Sequence, residues 1–125
     1  MKRSDFRILH ITTTALTSAP RMLKETRSLV GSGYTCGILC PPKGPDPEYG
    51  FEFGCEVFRP SALRRISKAE RAFMFGTNIS PTWISVLRST IHTYQPHAIH
   101  VHDIWLGRST LLTMGKQKFV LDLHE

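Results

Sequence analysis

No apolar run in the sequence approaches the roughly 20 residues that a membrane-crossing helix needs, so any membrane contact is expected to be peripheral. Cysteine is scarce. Of the three, Cys36 and Cys40 fall in one expected strand, where a four-residue separation holds their backbones about 13 Å apart, beyond disulfide reach. Reduced, buried thiols are therefore expected, and a Cys-x3-Cys spacing with no partner pair is a poor zinc signal. Glycine is missing from the loop after the first expected strand, residues 12–21. A pyrophosphate needs glycine there to reach the backbone, and no phosphate-cradling loop with Gly-Lys-Ser/Thr occurs either, which argues against NAD-dependent and P-loop nucleotide chemistry. Internal repeats, low-complexity tracts and a second domain are also lacking. Met1-Lys2-Arg3 resembles the start of a signal peptide, but Asp5, Arg7 and His10 interrupt the apolar stretch that should follow, so a cytoplasmic start is expected.

The chain has 125 residues, 41% of them apolar, which suits one domain with its own core. Phe6-Arg7-Ile8-Leu9-His10-Ile11-Thr12 reads as a strand running into a polar loop. From Pro20 the spacing turns helical, with Met22, Leu23, Thr26, Leu29 and Val30 on one side, and Gly31-Ser32-Gly33 closes the helix. Residues 34–40 form a second expected strand. Residues 41–54 hold four prolines and three glycines and read as a loop. A third strand over 55–58 follows, and then a helix over 61–75 with Leu63, Ile66, Ala69 and Phe73 inward. Ser80-Pro81 opens another helix, with Trp83, Leu87, Ile91 and Tyr94 on one face. Residues 98–102 form a fourth strand, 105–116 a short helix and 118–123 a fifth strand. This alternation predicts a three-layer, Rossmann-like α/β domain with a parallel sheet of about five strands in the order 3-2-1-4-5.

Ligands of such sheets bind beyond the carboxyl ends of the strands, where the strand order reverses. That rule selects Thr13, Thr14, Ser18 and Arg21 after the first strand, His102, Asp103 and Trp105 after the fourth, and His124 and Glu125 after the fifth as candidate substrate contacts. Hydroxyls and the amino end of the following helix can hold an anion there. His100 and His102 share one face of the fourth strand, with Asp103 at its exit. Strand histidines covered on both sides usually serve the core and a strand-end Asp usually caps a helix, so no metal is expected. His124 stands at a strand end, where its ring can donate to a sugar hydroxyl or a phosphate.

Four stretches, Phe6-Arg7-Ile8-Leu9-His10-Ile11, Arg21-Met22-Leu23-Lys24-Glu25 with Ser28-Leu29 and Gly33, Gln95-Pro96-His97-Ala98-Ile99-His100-Val101-His102-Asp103, and Val120-Leu121-Asp122-Leu123-His124-Glu125, occur in order along most of the chain. Together they resemble the N-terminal domain of the family 4 retaining GT-B glycosyltransferases. The resemblance implies an acceptor-side domain whose partner, a second Rossmann-like domain, holds a nucleotide-sugar donor and carries two glutamates. It implies that His124 faces the transferred sugar and that the first loop approaches the donor phosphates. In that loop Thr, Ser and Ala stand where the family often has glycine. The sequence ends at Glu125, so the donor-binding half is expected to come from a further domain or partner chain, and the chain alone is expected to be inactive. No cofactor beyond the donor is expected.

Four of the six net positive charges lie between residues 59 and 73, where Arg59, Arg64, Arg65, Lys68 and Arg71 face only Glu70. Arg64, Arg65, Lys68 and Arg71 are expected to meet an anionic membrane or a phosphate-bearing acceptor, such as a lipid-linked sugar at the inner membrane face. The competing function is a non-catalytic α/β module that uses this patch to bind nucleic acid or an acidic partner. Aromatic residues do not interleave with the basic ones, so nucleic acid is the poorer partner. A phosphoacceptor receiver domain would need acidic residues where the first strand ends in threonines. Apolar surface around Phe119, Val120 and Leu121 at the last strand is expected to favour self-association.

Overall fold

In the computed structural model, which describes residues 2–103 and 106–121, the apolar and β-branched runs form six strands in one sheet. They are β1 (Arg7–Ile11), β2 (Thr35–Leu39), β3 (Tyr49–Glu52), β4 (Cys55–Phe58), β5 (Ala98–Val101) and β6 (Lys118–Leu121). The order is β3-β4-β2-β1-β5-β6, with every pair parallel except β3 with β4. The five parallel strands thus stand in the expected order. The residues after β1 and β5 sit side by side at the reversal point, because Ile11 is level with Val101.

Four α-helices join the strands: α1 (Pro20–Gly31), α2 (Lys68–Thr77), α3 (Pro81–Tyr94) and α4 (Gly107–Thr113). Strand periodicity splits the core in two. Leu9, Ile11, Leu39, Ile99 and Val101 point towards α3, where Trp83, Leu87 and Leu106 complete one cluster. Met22 of α1 packs with Cys36, Ile38, Cys55 and Val57 on the other face. All three cysteines are free and buried, and burial pushes their thiols up, Cys36 to about 12 and Cys40 and Cys55 to about 11. Among the described residues, no helix is long and apolar enough to cross a membrane.

Two expectations need correction. The Pro- and Gly-containing stretch over residues 41–54 is not all loop, since its last part forms β3, hairpinned onto β4 through Phe53 and Gly54. Both turn residues have positive φ, 55° and 79°, the conformation a two-residue hairpin requires. The helix expected over residues 61–75 is also broken. Residues Ser61–Arg65 form a 3-10 turn, Ile66 is extended, and α2 begins only after Ser67, whose hydroxyl accepts from the Glu70 amide at 3.0 Å. That shift of phase leaves Ala69 and Phe73 exposed and makes Met74 the buried residue of α2. At the last strand Val120 is exposed, whereas Phe119 and Leu121 pack against the core.

The start of α3 follows the sequence signal. Ser80 Oγ accepts from the Trp83 amide and Pro81 occupies the first turn. Glu70 reinforces this cap by accepting from Ser80 Oγ at 2.6 Å, Thr82 N at 2.8 Å and Thr82 Oγ1 at 2.8 Å. Burial alone would raise its carboxyl, but these bonds hold it below the ordinary carboxylate range.

Tyr94, in the last turn of α3, lies across Gly37 of β2. A Cβ at Gly37 would stand 2.9, 3.1 and 3.2 Å from atoms of the tyrosine ring. Gly37→Val is therefore expected to cost about 1–3 kcal/mol by overpacking, read as a lower urea midpoint at unchanged slope.

Candidate functional site

The cleft opens where β1 and β5 end. Thr12 stays in register, donating its amide to Leu39 O at 3.1 Å, and the loop beyond it folds back through its own hydroxyls. Thr12 Oγ1 lies 3.1 Å from Thr14 Oγ1 and accepts from the Thr14 amide at 3.3 Å. Thr13 Oγ1 donates to Asp103 Oδ2, which ties the β1 loop to the β5 exit. These hydroxyls take over the shaping of a loop that has no glycine.

Two grooves meet along this tie. One, of about 310 Å³, is lined by Thr12, Thr14, Ser18, Arg21, His102 and Asp103 and reaches the start of α1. Ala19 at that helix start contributes no side-chain cap, and the positive end of the helix dipole lies at the groove. The second, of about 400 Å³, has Thr13, Thr14 and Asp103 on one wall and Arg71, Phe75, Trp83 and Leu63 among its other lining residues. An apolar floor with a carboxylate, hydroxyls and a guanidinium at the rim can take the apolar face of a sugar and hydrogen-bond its hydroxyls.

The structure thus brings together Thr13, Thr14, Ser18, Arg21, His102 and Asp103 of the expected contacts. Trp105, His124 and Glu125 lie outside the described residues. The basic patch does not form one helical arc. Arg64 and Arg65 stand exposed on the 3-10 turn, where Arg64 donates to Gly44 O at 2.6 Å, while Lys68 and Arg71 belong to α2. Arg59 is not on the surface at all. Its side chain is 4% exposed and donates to Glu52 at 2.6 Å, so its charge is matched within the fold.

Sequence reasoning missed the groove residues of the 3-10 turn and α2, namely Leu63, Ile66, Met74 and Phe75. It also missed His10. Parallel register places His10 beside His100, and its Nδ1 lies 3.0 Å from His102 Nε2. A histidine in the middle of an apolar strand signals a partner across the sheet, but the partner becomes visible only once β1 and β5 are known to pair. Burial, followed by the neighbouring His102 and His100, lowers His10 to about 3, so this ring is neutral near pH 7.

No protein-family model matches the sequence, and no curated protein matches it. Two solved structures of sucrose-phosphate synthase from Thermosynechococcus elongatus do share its fold. One superposes with a TM-score of 0.61 over 92% of this chain and 60% of that chain, at 18% identity. The other gives 0.63 over 93% of this chain and 32% of that chain, at 16% identity. The chain therefore spans less than two thirds of either match. At these identities the likeness shows a glycosyltransferase-like fold and no more.

Proposed function

We propose that the chain is the N-terminal, acceptor-side half of a retaining GT-B glycosyltransferase of the family 4 kind, which uses a nucleotide-sugar donor in glycan or glycolipid synthesis. The observation that carries this reading is the Thr13–Asp103 tie at the reversal point, with an acceptor-sized groove on one side and a helix amino end on the other. Asp103 accepts from an acceptor hydroxyl, Arg71 holds a phosphate or further hydroxyl at the far rim, and Trp83 and Phe75 give the sugar an apolar floor. The Thr14, Ser18 and Arg21 side approaches the donor phosphates, and His124 contacts the transferred sugar. The donor itself is held by a separate domain or partner chain. Transfer needs both substrates fixed in one closed geometry, so this chain alone does not turn over. Arg64, Arg65 and Lys68 lead the domain to a membrane-held acceptor, and the exposed surface near Val120 takes part in association.

The test is an NMR titration of the chain with a panel of mono- and disaccharides and, separately, with nucleotide-sugars. Saccharides are expected to shift the amides of Thr13, Arg71 and Asp103. Asp103→Asn removes a charge-assisted hydrogen bond worth about 1.5–3 kcal/mol and should weaken binding by roughly ten- to a hundredfold. Turnover of a nucleotide-sugar by the purified chain, or stronger response of these amides to nucleotide-sugars than to saccharides, defeats the reading.

A further inference from the structure

Three imidazoles converge on the face of the sheet that α1 covers. His10 comes from β1, His100 from β5 and His102 from the position just past β5. One ring nitrogen of each lies within 4.8 Å of the others. His10 Nδ1 and His102 Nε2 are 3.0 Å apart, whereas two nitrogens sharing one tetrahedral zinc at its usual bond length stand about 3.3 Å apart. Exchanging that hydrogen bond for a shared ion moves the pair by a few tenths of an ångström. The third ring has further to travel. His100 is half-buried and stacks on His102 with centroids 3.9 Å apart, so its side chain must turn for the ion to bind all three rings.

The chemistry of the set agrees with the geometry. Imidazole binds metal through a bare nitrogen, so the proton shared between His10 Nδ1 and His102 Nε2 moves to the far nitrogen of its own ring as the ion enters. Nδ1 of His102 faces Glu25 Oε2 of α1 at 3.9 Å, and closing that gap by about 1 Å would give the carboxylate-behind-histidine arrangement that orients a metal ligand. A three-nitrogen set favours zinc, copper or nickel over magnesium or calcium, which take oxygen. An entry path exists as well, since His100 and Glu25 both line an open groove beside α1.

We infer that His10, His100 and His102 form a binding site for one divalent transition-metal ion of the zinc type, with Glu25 orienting His102 from behind. The ion joins β1 to β5 just below the cleft, and this site stands whether or not the sugar-transfer reading holds.

Untagged protein, stripped with EDTA, is titrated with Zn2+ in a calorimeter and with Co2+ in the visible range. The expected result is one ion per chain and the intense Co2+ bands of four- or five-coordination. His100→Gln should weaken Zn2+ binding at least tenfold, and His92→Gln, which changes an exposed histidine of α3, should leave it unaltered. Should His100→Gln fail to fold, the native protein still decides. One equivalent of Zn2+ must shift the imidazole resonances of His10, His100 and His102 in NMR spectra, with His92 and His97 unmoved. Absence of saturable uptake, equal affinity in a folded His100→Gln protein, the pale spectrum of six-coordinate Co2+, or shifts confined to His92 and His97 overturns the site.

Discussion

Trp83→Ala is expected to destabilise the protein by about 3–5 kcal/mol, the range for deleting a large buried aromatic side chain. Trp83 is 1% exposed and belongs to the cluster that joins α3 to the sheet through Leu9, Ile11, Ile99 and Val101. The backbone around it cannot collapse into the gap. Its own amide is fixed by the Ser80 cap, and that cap is fixed in turn by Glu70 of α2. Since small domains are held together by only about 5–15 kcal/mol, the loss removes much of the total. Denaturant unfolding followed by far-UV circular dichroism measures it without relying on tryptophan emission. A loss under about 1 kcal/mol would mean that the α3 contact with the sheet is looser than the packing indicates. The same indole lines the second groove, so Trp83→Phe, which keeps an aromatic floor, separates stability from saccharide binding.

The parallel part of the sheet was legible because each strand carries its own apolar run and each crossover is too long for a hairpin. The expected strand order is the common doubly wound arrangement of such alternating units. The hairpin strand β3 escaped notice because Pro41, Pro42, Pro45 and Pro47, which precede it, dominate the composition of the whole stretch. Its signal was local, a glycine at Gly54 between Tyr49-Gly50-Phe51-Glu52 and Cys55-Glu56-Val57-Phe58. Ser67-Lys68-Ala69-Glu70 likewise has the spacing of a capping box and marks the start of α2, but helical periodicity read across Ile66 concealed the break.

The candidate site was legible to a different extent. Strand ends can be named from sequence, so Thr13, Thr14, His102 and Asp103 were within reach. Which of them touch depends on register, and no sequence pattern states register between strands separated by ninety residues or so. The Thr13–Asp103 tie and the His10–His102 contact are both consequences of β1 lying level with β5. The second groove needed more still, because its far wall depends on where α2 begins.

Charge was the least legible property, and Arg59 shows why. In sequence it heads a basic run, but its side chain is buried behind the β3–β4 hairpin, donating Nη1 to Glu52 at 2.6 Å and facing Asp46 at 3.7 Å with Nε. Removing Glu52 alone strands a buried guanidinium beside one weaker partner. Breaking a fully buried pair in this way costs about 3–5 kcal/mol, and because the carboxylates are 40% exposed, water can reach the vacated side and reduce the cost to about 2–3 kcal/mol. Arg59→Met exchanges the charge for an apolar chain of similar length, so no buried ion is left unpaired, only two carboxylates that water reaches. It should therefore cost less than Glu52→Ala, and the double substitution Arg59→Met with Glu52→Ala should be milder than Glu52→Ala alone. Part of the damage will be local, because Glu52 lies at the turn end of the hairpin and Arg59 just past its open end, so the ion pair spans the strand pair at the sheet edge. Amide exchange in β3 and β4 is expected to quicken in Glu52→Ala more than exchange in β1 and β5. Equal stability of Glu52→Ala and the native protein, together with unchanged exchange in β3, would return Arg59 to the solvent-facing patch that its sequence position first suggested.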